Sequence, residues 1–245
     1  MNLKETKEDA GPLRLQVFLA RGGVASRRRA ETFILQGRVT VNGETVTLLG
    51  TKVEPGSEVR VDGVPVLAEK KRHYLAMNKP PGYLCSSRDP QGRPLALALI
   101  PPDITERLYN VGRLDYLSSG LIFFTNDGDF AARVSRPGSE IEKEYFIESK
   151  GPVPDRVIDD FLAGLNIEGE TYRARSVERL GRCSLKIVLI EGKNREIRRV
   201  FSHFHLSPRM LKRVRIGPVE LGTLEEGKTR RLTDAELAKL EKILW

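Results

Sequence analysis

The chain has little cysteine. Cys85 and Cys183 are its only two in 245 residues, too few for the disulfide framework that staples small secreted domains. A reducing compartment follows, and the expectation is a cytoplasmic protein. Long hydrophobic runs are also missing. No stretch approaches the roughly 20 apolar residues that a membrane helix needs, and residues 1–10 are polar and carry both charge signs, unlike a secretory leader. No membrane partner is therefore expected. There are three histidines, and neither they nor the cysteines fall at zinc-site spacing. No glycine-rich stretch has phosphate-loop spacing. No metal and no cofactor are expected. Internal repeats and low-complexity tracts are lacking too.

What the chain does have is positive charge. Lys and Arg number 41 against 33 Asp and Glu, a net charge of +8. Such a balance favours a polyanionic partner, with nucleic acid the first expectation. With 40% hydrophobic and 30% charged residues, the composition is that of an ordinary globular protein. The length suits one or two domains with real cores.

Residues 1–12 read as a disordered tail, low in apolar content and closed by Gly11-Pro12. Residues 13–67 form a first small domain. Leu15, Phe18 and Leu19 fall at helical spacing before Gly22-Gly23. Ser26 can cap a second helix whose apolar face is Ala30, Phe33 and Ile34. Arg27, Arg28 and Arg29 fall in its first turn, where the helix dipole disfavours cations unless an anion meets them. Val39 to Val46 alternates around Asn42-Gly43, the signature of a hairpin with a type I′ turn. Val59 and Val61 supply a further strand. Residues 68–72 are polar and charged and read as a linker.

Residues 73–245 read as a second, larger domain. Its centre is YNVGRLDYLSSGLIFFTNDGDF, Tyr109 to Phe130. Leu121 to Thr125 is a short apolar run suited to a buried strand. Asp115 lies in the Gly/Ser loop that enters it, beside Arg113. On local spacing alone Asp115 serves equally well as a turn cap. Tyr74 to Asn78, Glu144 to Ser149 and Cys183 to Ile190 read as strands. Asp155 to Leu165 and Arg195 to Phe204 read as helices, the latter with Ile197, Val200, Phe201 and Phe204 inward. Thr233 to Glu236 is a capping box that opens a last helix. Strands and helices are mixed without strict alternation, so the fold class is α+β with a mixed or largely antiparallel sheet. The segment Glu191 to Arg215 holds eight Lys/Arg against two Glu. An arginine brought from it to Asp115 would favour the ionised carboxylate.

Two resemblances follow from these motifs. The stretch from Leu13 to Gly63, carried by ASRR, QGRVTVNG and PGSEV, resembles the small RNA-binding module of ribosomal small-subunit protein S-four. That likeness assigns Arg27, Arg28, Arg29 and Arg38 to RNA. GRLDYLSSGLIFFTNDGD, KEY and EGKNREIRRV resemble the three catalytic stretches of the RsuA/RluB-type pseudouridine synthases, and NKPPGYLCSS resembles their opening strand and turn. This likeness implies Asp115 as the essential aspartate, Arg198 as its arginine partner and Tyr145 as the ring stacked on the target base. It places Arg113 in the gap left by the flipped nucleotide, and Lys193, Arg195 and Arg199 on RNA. Ser118 stands where the family usually has threonine, and Glu196 where glutamine is commoner.

The implied activity is isomerisation of uridine in a structured stem-loop of ribosomal RNA, on free RNA or a pre-ribosomal particle, by a monomer. RVRIGPVELGTLEEGKTRRLT points to the large-subunit branch. A non-catalytic RNA-binding assembly factor on the same fold is the alternative, and a synthase acting on transfer RNA differs only in substrate. The retained Asp115, Tyr145 and Arg198 favour an enzyme. Deleting residues 1–70 should weaken binding to structured ribosomal RNA and lower its log–log salt slope by roughly 2–3 units, through the loss of three phosphate contacts. Affinity titrated against salt for both chains checks this.

Overall fold

The computed structural model describes residues 11–67, 71–136 and 138–244. Most of the expected tail, the first three residues of the expected linker, Pro137 and Trp245 lie outside them. The chain divides into two compact units between Arg72 and His73.

The first unit runs β1 (Leu13–Arg14), α1 (Leu15–Arg21), α2 (Arg27–Leu35), β2 (Val39–Val41), β3 (Glu44–Thr45), β4 (Lys52–Val53), β5 (Val59–Val61) and β6 (Val64–Pro65). Ser26 caps α2 by accepting a hydrogen bond from Arg29 N–H at 3.3 Å. The hairpin turn has Asn42 at φ +51° and Gly43 at φ +88°, as a type I′ turn requires. Leu15, Leu19, Ala30, Ile34, Val39 and Val59 are buried together as the core of this unit.

The second unit runs β7 (Tyr74–Lys79), β8 (Tyr109–Val111), β9 (Ser119–Thr125), α3 (Gly128–Ser135), β10 (Lys143–Ser149), α4 (Asp155–Ala163), β11 (Leu165–Ile167), β12 (Glu170–Tyr172), β13 (Ser176–Arg179), β14 (Ser184–Leu189), α5 (Glu196–His203), β15 (Pro208–Ile216), β16 (Val219–Glu220), β17 (Thr229–Arg231) and α6 (Asp234–Leu244). Among the described residues, nine strands form one mixed sheet in the order β13-β14-β10-β15-β9-β7-β17, with β8 on β9 and β16 on β15. Every pairing is antiparallel except β15 with β9. The fold is thus α+β, a small N-terminal module of helices and short strands followed by a larger mixed-sheet domain.

Both faces of β9 are covered, which is why it reads as an unbroken apolar run. Leu121 and Phe123 pack with Phe130, Val134 and Leu240 beneath α3 and α6. Ile122 and Phe124 pack on the other face with Met77, Ala96 and Leu114. In the other half of the sheet, Ile147, Leu185 and Ile187 bury Val157 and Phe161 of α4 and Val200 and Phe201 of α5. Tyr145 is half-buried and touches both of these last clusters.

Two helix boundaries depart from the sequence reading, and further local features add to it. α4 ends at Ala163, because Gly164 turns at φ +106° and Leu165 starts β11. Arg195 is not in its helix but precedes it in the left-handed region, φ +51°. Asp127 caps α3, accepting from Asp129 N–H at 3.0 Å and Phe130 N–H at 3.1 Å. The strands β8, β11, β12 and β13 span only three or four residues each, too short for a periodic signal.

The two halves of the sheet meet where Lys212 and Arg213 of β15 register with Ser119 and Gly120 of β9. Gly120 has φ +101°, and a Cβ there would lie 2.2 Å from the Arg213 carbonyl oxygen. Gly120→Ala should therefore destabilise the second unit by about 3 kcal/mol or more. Gly151→Ala, where a Cβ meets nothing within 4 Å, should lie within roughly 0.5 kcal/mol of the parent. Denaturant midpoints of the two variants test the contrast.

Candidate active site

The junction of the half-sheets places one residue from each of four neighbouring strands in a row: Lys79 opposite Gly120, Gly120 opposite Arg213, and Arg213 opposite Tyr145. The loop that carries Asp115 enters β9 at this row. Leu114 is buried in the cluster under β7 and β9, and its N–H donates to Cys85 Sγ at 3.4 Å. Anchored on that side, the chain turns over Asp115–Ser118, where Ser118 N–H donates to the Asp115 carbonyl at 3.0 Å. The Pro80–Gly82 turn braces it, Gly82 N–H donating to the Tyr116 carbonyl at 2.7 Å. Asp115 is thereby held with its carboxylate about two-fifths exposed.

Arg198 reaches this turn from the first turns of α5. Its Nε lies 3.4 Å from Asp115 Oδ2, and its Nη2 donates to Ser118 Oγ at 3.1 Å. One guanidinium thus contacts the carboxylate and the hydroxyl of the residue whose N–H closes the turn. Burial lowers the Arg198 pKa, with Asp115 opposing the shift and nearby Arg195 adding to it. Arg199 points elsewhere, toward Glu168 at 3.6 Å, so adjacent arginines on one helix have different surroundings. Tyr145 is brought to the same junction through the shared apolar cluster of Leu114. Arg113 is exposed on the near side of Asp115, with no hydrogen bond or ion pair among the described residues.

Several groups at this junction were not picked out from sequence. Lys79 is fully buried, its ammonium donating to the carbonyls of Pro80 at 2.7 Å and Tyr83 at 2.9 Å. Burial lowers its pKa, while Cys85, Asp115 and Glu226 pull it up. Arg213 is also buried; its Nε donates to the Leu121 carbonyl at 2.7 Å, and Nη2 has no hydrogen-bond partner among the described residues. Their only sequence signal was a strand alternating into a charged residue, which ordinarily marks a solvated face.

The charge of Glu191 to Arg215 is much less free than its count suggests. Arg209 pairs with Glu148, Arg215 with Glu142 and Glu144, and Lys193 with Glu191. Arg195 remains exposed. In the first unit, Arg27, Arg28 and Arg29 are exposed on the first turn of α2, which contains no acidic residue. Arg38 is held by the Asp62 carboxylate, Nε to Oδ1 at 2.9 Å, and its guanidinium stacks 4.2 Å from the centre of the Phe33 ring. Among the described residues, no three His, Cys, Asp or Glu side chains cluster as metal ligands.

With this geometry in hand, comparison with known proteins identifies the class. Residues 73–203 match the RNA pseudouridylate synthase family and residues 13–59 the S4 domain. The chain belongs to the RNA pseudouridine synthase family, in its branch with an N-terminal S4 domain, and is an isomerase acting on RNA. It is 42% identical over 236 residues to an uncharacterized RNA pseudouridine synthase of Aquifex aeolicus, covering 94% of both chains. It is 36% identical over 236 residues to the ribosomal large subunit pseudouridine synthase B of Bacillus subtilis, covering 94% of this chain and 96% of that one. A crystal structure of a pseudouridylate synthase superposes with TM-score 0.69 at 29% identity, covering 93% and 99% of the two chains.

Glu196 begins α5 and is 3% exposed. Its Oε2 accepts from Lys193 N–H at 3.3 Å, and Oε1 has no hydrogen-bond partner among the described residues. Burial pushes its pKa up to about 7, against the pull of the Lys193 N–H and charge. The folded chain therefore holds a proton there that the unfolded chain has released, and stability falls as pH rises from about 4.5 to about 7. Glu196→Gln removes this dependence. Relative to the parent, the variant should gain about 3 kcal/mol between pH 4 and pH 8, read from denaturant midpoints at the two pH values.

Proposed function

We propose that the protein converts a uridine of large-subunit ribosomal RNA to pseudouridine, with Asp115 as its essential catalytic group and the target nucleotide turned out of its stack. The observation that carries this is Arg198, which spans Asp115 and Ser118 at the joint of the two half-sheets. The name of the Bacillus subtilis relative supports the large subunit as the source of the RNA.

The reaction breaks the bond from sugar C1′ to ring N1 and makes one from C1′ to ring C5. The proton on C5 is lost and one is gained on N1, so atoms and electrons balance without an oxidant or reductant. A carboxylate acts on the sugar either as nucleophile at C1′ or as base toward its 2′ proton. Either role needs it aimed, and the Arg198 guanidinium on one side with the Ser118-closed turn beneath holds it in position. A stacked uridine is out of reach of a group at the bottom of such a loop, and extruding it costs a few kcal/mol. Tyr145 is suited to hold the extruded ring, and exposed Arg113 to fill the gap.

Asp115→Asn keeps the shape and removes the charge. It should abolish pseudouridine formation while leaving RNA affinity within about threefold of the parent. Arg198→Met should lower turnover by at least about a hundredfold, as loss of one preorganised charge contact does, and Arg199→Met by far less. Side-by-side single-turnover rates and affinities decide this, and turnover by Asp115→Asn would remove the assignment. Mapping pseudouridines in ribosomal RNA from cells lacking the protein identifies the uridine. If none is lost, the ribosomal substrate is wrong.

A further inference from the structure

The turn that carries Asp115 exposes two large apolar side chains at its corner, Tyr116 at 38% and Leu117 at 65%. Solvent-facing turn corners ordinarily hold Gly, Asn, Asp or Ser. Leu117 belongs to none of the apolar clusters formed by the described residues. It cannot readily fold away. Ser118 N–H is bonded to the Asp115 carbonyl, Gly82 N–H to the Tyr116 carbonyl, and Arg198 to Ser118 Oγ. The Tyr116 hydroxyl lies 3.9 Å from where a Gly82 Cβ would stand, so the tyrosine leans back over the Pro80–Gly82 turn. Leu117 is left as the bare tip, and water there costs apolar contact with no return unless something covers it.

We infer that Leu117 is a substrate-positioning residue: it is the platform on which the nucleobase next to the target uridine packs once the uridine has left the helix. The inference rests on the RNA-modifying reading above and names a substrate contact for it. Extrusion of one nucleotide strips a stacking partner from each neighbouring base. Arg113 and Leu117 flank Asp115 on its two sides in the chain, one a cation without an ion-pair partner among the described residues, the other an unpartnered apolar surface. A leucine has no donor or acceptor, so it takes the face of any base. It holds the opened strand by apolar packing against the base face, without reading sequence. Its place on the catalytic turn couples that hold to the position of the carboxylate.

The test begins with the full-length protein and a large-subunit ribosomal RNA transcript, to locate the uridine that is converted. A hairpin carrying that uridine is then made in three forms: intact, abasic at the preceding position, and abasic at the following one. Single-turnover rates at subsaturating enzyme are measured for the parent, Leu117→Ala, Leu117→Asn and Leu117→Met. On the intact hairpin, Ala and Asn should each lose about tenfold, the scale of uncovering part of a leucine side chain, and Met should stay within about twofold. On one of the two abasic hairpins the parent and Leu117→Ala should react at the same rate. Full activity of Leu117→Ala on the intact hairpin, or the same loss on all three, overturns the platform while leaving the enzyme assignment intact. No pseudouridine from the parent in any ribosomal transcript overturns the functional reading, and the platform falls with it.

Discussion

The contact between β9 and β15 is the constraint on which this molecule's chemistry depends. It is the one parallel pairing in the sheet and spans two residues on each strand. So short a ladder holds two half-sheets together only if the backbones come very close, and Gly120 permits that because it has no side chain to set against the Arg213 peptide. Arg213 adds a second link by donating to the Leu121 carbonyl across the same joint. Everything functional is referred to this seam. β9 brings the Asp115 turn to it, β7 brings the Pro80–Gly82 brace, β10 brings Tyr145, and α5, packed on the β10 half, brings Arg198.

This arrangement means that the carboxylate and its arginine come from opposite halves of the sheet. Their 3.4 Å separation is a readout of how the halves are docked. The side chains around them are constrained in different ways. Ser118 is buried and hydrogen-bonded, Leu114 is sunk in an apolar cluster, and Lys79 is tied to two carbonyls of the bracing turn. Glu196 sits at the origin of α5, where one oxygen is bonded and the other is not. A buried carboxyl that keeps its proton near neutrality resembles an amide in charge and shape.

Charge in this protein is distributed less freely than its composition implies. Arginines and lysines of the Glu191 to Arg215 segment are drawn into pairs with Glu142, Glu144, Glu148, Glu168 and Glu191. Exposed pairs of that kind contribute little to stability and still cancel local potential. Exposed cations outside such pairs include Arg113, two residues before Asp115, Arg195, just ahead of α5, and Arg27 and Arg28 on the first turn of α2. Arg38, expected to face RNA, is held by Asp62 and stacked on Phe33, so it shapes the module's surface from a fixed position.

The sequence by itself determined the local chemistry. Helix caps at Ser26 and Thr233, the Asn42-Gly43 turn, the apolar run of β9 and the Gly/Ser loop ahead of it are decided within a few residues, because capping, turn dihedrals and side-chain alternation are short-range. The motifs also named Asp115, Tyr145 and Arg198, though through likeness to relatives and not through spacing, since 30 and 83 residues of chain separate the latter two from the first. Only the tertiary structure decided the rest. The burial of Lys79, Glu196 and Arg213, the bond from Arg198 to Ser118, the pairing of nominally free arginines and the bare tip at Leu117 all depend on which strands become neighbours. The joint of the two half-sheets is one two-residue parallel contact at a glycine, and such long-range pairings leave no periodic trace along the chain.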